Sequence, residues 1–277
     1  MTQQSKTLSG PAGGSEAALL RSDADGVVTL TLNRPWKYNA LSSELMADIQ
    51  TQLDAIAEDR SIRVVVIAAN GRAFCAGHDL EGMRSLKSRE PVEALFKQCS
   101  TMMVSLTRMP QPVIARVQGI ATAAGCQLVA QCDLAVAASD VRFATSGINL
   151  GLFCATPMVA VTRNLPRKQA LELLYTGDFI NAETARQYGL VNRVVPSELL
   201  DRAVDDMAQS IKSKSPFAMA AGKKLFYAQI EEGLEKAYEL ATETITQNML
   251  HQDAQDGVRA FLEKKPMPDW QDRDDDQ

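Results

Sequence analysis

Gly71-Arg-Ala-Phe-Cys-Ala-Gly-His-Asp-Leu80 follows an apolar run, Val64-Val-Val-Ile-Ala68, that reads as a buried strand. Gly71 and Gly77 allow a tight backbone that turns amide hydrogens toward a ligand instead of into a sheet ladder. The amide after Gly77 belongs to His78. The same grammar returns in Gln118-Gly-Ile-Ala-Thr-Ala-Ala-Gly-Cys-Gln127. There Pro112-Val-Ile-Ala-Arg-Val117 reads as the strand, and Ala123-Ala-Gly125 as the small-residue opening of a helix running to about Cys132. The first amides of that helix are free and lie at its positive dipole end.

Two such amides converging on one oxygen stabilise the enolate-like charge that forms when a thioester is attacked or deprotonated, and losing one donor typically costs about 3 kcal/mol of transition-state stabilisation. Either segment alone reads equally well as an ordinary strand-to-helix turn of an α/β protein. Both together, in order, resemble the oxyanion-hole signatures of the crotonase (enoyl-CoA hydratase/isomerase) superfamily, and the likeness runs from about Val27 to about Phe261.

The resemblance implies an α/β fold, a crotonase-like spiral of ββα units followed by a C-terminal helical trimerisation region. It implies an acyl-CoA thioester substrate, with coenzyme A arriving as part of that substrate and no cofactor bound permanently. The backbone N–H groups of His78 and Ala124 map onto the oxyanion donors. Asn39, Ala40 and Leu41, with Ala76, Asp79 and Leu80, map onto the seat of the coenzyme. Phe261 and Lys264 are expected to approach its nucleotide end from another subunit of a homotrimer or a dimer of trimers. Read by themselves, Lys264 and Lys265 equally suit a solvated, charged helix end. Asp79 suits the N-cap of the helix after it. Spacing alone also permits a doubly wound sheet.

Similar hydratases carry one glutamate at the end of the second motif and another about twenty residues later. Here those positions are Gln127 and Gly147. A carboxylate pair is the usual means of adding water across a double bond, one group activating the water and the other handling the α-carbon proton. Glutamine orients water but does not take its proton near neutral pH, and glycine does neither. The segment Phe143-Ala-Thr-Ser-Gly-Ile-Asn-Leu-Gly-Leu-Phe-Cys154 otherwise keeps the family spacing, as in a glutamate-lacking subgroup of enoyl-CoA hydratase domain-containing proteins. Enoyl-CoA hydration is thus the nominal reaction. Decarboxylation, thioester hydrolysis and a non-catalytic acyl-CoA-binding role remain open. Thr145, Ser146 and Asn149 are the nearby groups suited to holding a water, and Cys154 reads as a small buried residue.

The chain has 277 residues, 45% apolar and 5% aromatic, with a net charge of −5, which suits a single core with peripheral helices and argues against a nucleic-acid or membrane-surface partner. Its five cysteines lie mostly in apolar runs without Cys-x-x-Cys spacing, which reads as reduced thiols and no metal site. No apolar run spans a bilayer and the first residues lack a signal core, so a cytoplasmic location is the expectation. Residues 1–16 read as a disordered tail, 17–200 as the spiral core, 201–268 as the helical region and 269–277 as an acidic tail. Within the core, Val27-Val-Thr-Leu-Thr-Leu32 alternates as a strand, and Leu45, Met46, Ile49, Leu53 and Ile56 mark a helix. Beyond Arg167 helix dominates, with one strand expected at Val191–Val195 and a cap at Gly189.

Overall fold

The computed structural model describes residues 17–270, so the tail expected over 1–16 and all but two residues of the acidic tail lie outside it. The described chain opens on an antiparallel hairpin of β1 (Leu19–Ala24) and β2 (Val27–Leu32), turned through Asp25 and Gly26 at positive φ. Alternation in β2 buries Val28, Leu30 and Leu32. Helix α1 (Ser43–Ala57) starts where the Ser42 hydroxyl accepts from Leu45 N, and its predicted apolar stripe is wholly buried.

Each further turn of the chain then contributes one strand to each of two sheets. β3 (Val64–Ala69) is followed by β4 (Ala73–Cys75), and helices α2 (Leu80–Ser85) and α3 (Arg89–Arg108) return the chain. β5 (Val113–Val117) and β6 (Ile120–Thr122) come next, then α4 (Ala124–Gln131), then β7 (Leu134–Ala138) and β8 (Arg142–Ala144). The first strand of each pair extends one sheet in the order β1-β2-β3-β5-β7, and the second builds a smaller sheet, β4-β6-β8. Past the hairpin these pairings are parallel. This is the ββα spiral; a doubly wound sheet would keep all strands in one layer. The chain leaves the first sheet at Gln118-Gly119, where a Cβ on Gly119 would lie 2.3 Å from the Arg72 carbonyl oxygen. Only glycine lets those two strand ends meet.

The remaining elements are α5 (Ala155–Asn164), α6 (Arg167–Thr176), β9 (Ile180–Asn181), α7 (Ala182–Gln187), β10 (Arg193–Val195), α8 (Leu200–Lys212), α9 (Pro216–Gln229), α10 (Leu234–Leu250) and α11 (Gln252–Leu262). β10 completes the larger sheet beside β7, whereas β9, two residues pairing antiparallel with β8, is too short to leave a periodic signal in sequence. Gly189 at φ +88° ends α7, with Leu190 N donating to Ala185 O at 2.9 Å. Helix α8 lies across β3, β5 and β7 and buries Leu200, Val204, Met207 and Ala208, so the core extends past residue 200 to the end of that helix. α10 packs on α9 and buries no residue within the chain, leaving Leu234, Tyr238, Ile245 and Leu250 between 61% and 74% exposed.

Candidate active site

The loop after β2 and the end of the first motif run side by side. Ala76 N donates to Tyr38 O at 3.0 Å, Leu41 N to Gly77 O at 2.8 Å, and Asp79 N to Leu41 O at 3.1 Å. Tyr38 and Asn39 hold positive φ to make this turn. Asn39 is fully buried: its oxygen accepts from Arg34 N at 2.8 Å, and its amide nitrogen donates to Asn70 O and Ala73 O, both at 2.9 Å. Asn39 therefore shapes the loop from within. Leu41 is also buried, while Ala76 is half-buried and Leu80 is 52% exposed.

The two amides predicted as oxyanion donors follow backbone that few residues adopt. Gly77 has φ +99°, and Ala123 has φ +50° with ψ −120°. An alanine there is strained, and strain of this kind clusters at functional sites. Among the described residues, no hydrogen bond uses His78 N or Ala124 N as donor. The two segments touch at their glycines. A Cβ on Gly77 would lie 2.9 Å from Ala123 Cβ and 3.3 Å from Ala124 N, and one on Gly125 would lie 2.0 Å from Cys75 O. The first turn of α4 is thus pressed onto the end of β4, and its free amides stand beside that of His78.

Gln127 lies in the same first turn, with its N–H donating to Ala123 O at 3.0 Å. It is 3% exposed, and its side-chain oxygen has no hydrogen-bond partner. A buried acceptor left unpaired costs about 1–3 kcal/mol unless a ligand or water satisfies it. Gly147 sits in a short 3-10 turn (Ser146–Leu150) that closes when Leu152 N donates to Gly147 O at 3.0 Å. A Cβ at Gly147 would fall 2.6 Å from Leu152 O and 2.9 Å from Cys154 Sγ. At Gly147, where the sequence resemblance leads to the expectation of a glutamate, backbone and the Cys154 sulfur leave no room for a side chain.

The other named side chains are engaged. Asp79 caps α2, accepting from Glu81 N and Gly82 N at 3.1 and 3.3 Å, and lies 3.8 Å from Arg34. The His78 ring packs edge-on against Phe96 with both nitrogens buried and unpaired, and burial pushes its pKa below the usual imidazole range. Thr145 donates to Leu173 O at 2.7 Å inside the core, whereas Ser146 and Thr122 share a 2.6 Å hydroxyl pair. Asn149 reaches only Gly177 O, at 3.5 Å. Cys154 is buried, its thiol pKa raised by desolvation. Phe261, 72% exposed, and Lys264 lie at the end of α11, which packs on α10, and no hydrogen bond or ion pair among the described residues ties them to the Asn39 loop.

One buried cluster had no sequence signal. Lys223 on α9 donates to Leu106 O, Gln111 O and Asp133 at 2.7–2.8 Å, and Asp133 also accepts from Tyr227 and Val113 N. The lysine sits within an apolar helical stretch and reads as a solvated charge until its partners, about 90 to 117 positions away, are known.

A spiral of ββα units carrying two unpaired amides at its strand-to-helix turns defines the crotonase fold class. The sequence model of the enoyl-CoA hydratase/isomerase family matches residues 22–273, and the chain belongs to that family. Among curated relatives it is 41% identical to "Enoyl-CoA hydratase domain-containing protein 3, mitochondrial" of Mus musculus over 94% of this chain and 87% of that one. It is 33% identical to "Crotonyl-CoA hydratase" of Syntrophomonas wolfei, over 86% and 92% of the two chains. A crystal structure of an enoyl-CoA hydratase from Mycobacterium smegmatis superposes with a TM-score of 0.90 at 55% identity, over 92% of this chain and 99% of that one. Human enoyl-CoA hydratase domain-containing protein 3 gives 0.89 at 40% identity, over 92% and 100%.

These relatives correct one expectation. The mouse protein and four others at 38–42% identity are named mitochondrial, which overturns the cytoplasmic reading. That reading rested on the lack of a spanning segment and a signal core, which do not distinguish one aqueous compartment from another, and on the absence of arginine before Arg21, a compositional sign too weak to decide the compartment. No helix among the described residues is long and apolar enough to cross a membrane.

Proposed function

We propose that this protein is an acyl-CoA-processing enzyme in which the N–H groups of His78 and Ala124 hold the thioester oxygen and stabilise the enolate that forms from it. The observation that carries this reading is the juxtaposition of two unpaired amides by Gly77 and Gly125. Charge developing on the thioester oxygen then meets donors already oriented, so little reorganisation opposes it. The nominal reaction is addition of water to a 2-enoyl-CoA, as the names of the Syntrophomonas relative and of the 33%-identical 2,3-dehydroadipyl-CoA hydratase of Escherichia coli suggest. Gln127 would orient the water with its unpaired oxygen. With no carboxylate to take the proton, the step should be slower by about 10²–10⁴, the usual contribution of a general base.

The exposed apolar face of α10, continued by Phe226 on α9 and Ile230 just past its end, supports self-association, with Phe261 and Lys264 reaching a neighbour's coenzyme seat in a trimer or dimer of trimers. The test combines crotonyl-CoA turnover, followed by loss of the conjugated thioester absorbance, with calorimetry of butyryl-CoA and a solution mass. Butyryl-CoA binding with turnover that falls in Gln127→Ala supports the full reading. Binding without turnover removes hydration and leaves the oxyanion hole, and no binding overturns the reading entirely.

A further inference from the structure

A second cleft lies at the far end of the larger sheet from the paired amides. It opens beside the N-terminal ends of β3 and β5, between residues 57–63, the Pro110-Gln111-Pro112 approach to β5 and the start of α9, and encloses about 360 Å³. That volume falls in the range of small-molecule sites. The amides of His78 and Ala124 stand past the C-terminal ends of the same strands, after β4 and β6. No residue lining the cleft is among those assigned to the thioester or its coenzyme.

Its lining is flat, charged and short of one donor. Pro110, Pro112 and Pro216 present rigid apolar faces, and Phe217 is held beside them by its stack on His251, with ring centroids 3.9 Å apart. Arg60, Arg63 and Glu58 line the same cleft, and two guanidinium groups against one carboxylate leave a single net positive charge. Gln111 is 5% exposed, and its amide nitrogen donates to Ile56 O at 2.7 Å and Asp59 O at 3.2 Å. Those bonds fix the amide's orientation, because turning it over would set its oxygen against two carbonyl oxygens. The oxygen itself has no hydrogen-bond partner among the described residues. An acceptor buried without a donor is costly, so a ligand that brings one gains by it.

We propose that this cleft binds a small aromatic carboxylate that carries a ring hydroxyl. The ring lies between the proline faces and Phe217, the carboxylate meets the Arg60 and Arg63 guanidinium groups, and the hydroxyl donates to Gln111 Oε1. Guanidinium geometry matches a planar carboxylate, and one net positive charge suits a monoanion better than a phosphate dianion. Apolar walls with a few placed polar groups are what such a ligand needs. The hydroxyl adds selectivity, since an analogue without it leaves the Gln111 oxygen unpaired. Nothing in this site depends on the oxyanion donors, so the two readings fail separately.

The test titrates the full chain with 3- and 4-hydroxyphenylacetate by calorimetry at low ionic strength. At least one should bind with a Kd below about 1 mM, the affinity expected of a ligand this small. Phenylacetate, which lacks the donor, and the matching hydroxyphenyl ethanol, which lacks the charge, should each bind at least about tenfold more weakly. Arg60→Gln, a change at an exposed residue, should weaken the acid by a similar factor and leave the alcohol unchanged. Ala220→Trp, which fills the cleft from α9, should abolish binding, while butyryl-CoA affinity holds in both variants and saturating butyryl-CoA displaces none of the acid. Failure of both acids to bind below that limit overturns the inference, as does displacement by butyryl-CoA or an unaltered Kd in a folded Ala220→Trp variant. Phenylacetate binding as tightly as the hydroxy acid overturns the role given to Gln111. Butyryl-CoA that does not bind at all overturns only the oxyanion reading.

Discussion

At Gly125 a single hydrogen in place of a methyl decides whether the two motifs meet, because a Cβ there would lie 2.0 Å from the Cys75 carbonyl oxygen. Both partners are backbone in the core of the fold, so relief requires α4 to move off β4. Gly125→Ala is expected to destabilise by about 3 kcal/mol, at the upper end of ordinary overpacking, and to lower Tm by about 6–12 °C. Butyryl-CoA affinity should fall with it, since Ala124 is displaced, and calorimetry on the variant at a temperature where it is folded checks this. Gly147 gives the opposite lesson to the one its sequence position suggests. Placing glutamates at 127 and 147 is the obvious route to a hydratase pair, yet the Gly147 site is filled by Leu152 O and Cys154 Sγ. The double variant Gln127→Glu, Gly147→Glu should therefore lose about 1–3 kcal/mol and gain no hydration over Gln127→Glu alone. Urea midpoints and crotonyl-CoA turnover measured on both decide it.

Helix α9 shows how one element ties the C-terminal helices to the site. Its Lys223 closes on the end of α3, the approach to β5 and the Asp133 turn that follows α4, the helix whose other end supplies the Ala124 amide. Burial lowers the lysine's pKa against the opposing pull of Asp133, yet the ion pair and two carbonyls keep it a threefold donor. Lys223→Met leaves Asp133 buried without its cation and should cost about 3–5 kcal/mol, whereas Lys223→Met with Asp133→Asn should recover part of that loss. A double-mutant cycle in urea measures the coupling directly. α11 is held to the same base by His251, stacked on Phe217 at 3.9 Å, and by Ser215 bonded to Asp253 at 2.5 Å. Trp270, at the edge of the described chain, donates to Ser213 O at 2.7 Å.

For the whole molecule, the five thiols report on the integrity of the core, because all five are buried and free. Burial pushes Cys75, Cys99 and Cys126 up to about 12 from an ordinary value of 9.0. Between pH 9 and 12 the unfolded chain therefore loses protons that the native protein keeps, so native stability is full below pH 9 and declines as pH rises through that window. Each of these thiols contributes a slope of roughly 1 kcal/mol per pH unit. Guanidinium midpoints at pH 8, 9, 10 and 11 should be level and then fall, and a thiol reagent at pH 8 should find the native protein unreactive and the denatured chain fully reactive.

Sequence alone determined the spiral's repeating strands and helices, the buried stripe of α1 and the two glycine-bearing turns, because each is written in local periodicity and in residues whose backbone preferences are strong: Val27–Leu32 by alternation, Gly77 and Gly189 by φ. It also placed Gln127 and Gly147 where the family resemblance implies glutamates. What it did not contain were facts that depend on residues distant along the chain. The split of the strands into two sheets, the two-residue β9, the Lys223–Asp133 cluster and the closure of Gly147 by Leu152 and Cys154 all rest on contacts that no local pattern encodes. The same holds for the three backbone groups of its own chain that Asn39, which the family resemblance places in the coenzyme seat, is found to bind. A motif records which backbone conformations and hydrogen-bonding groups are present; only packing decides which of those groups remain unpaired and face a substrate.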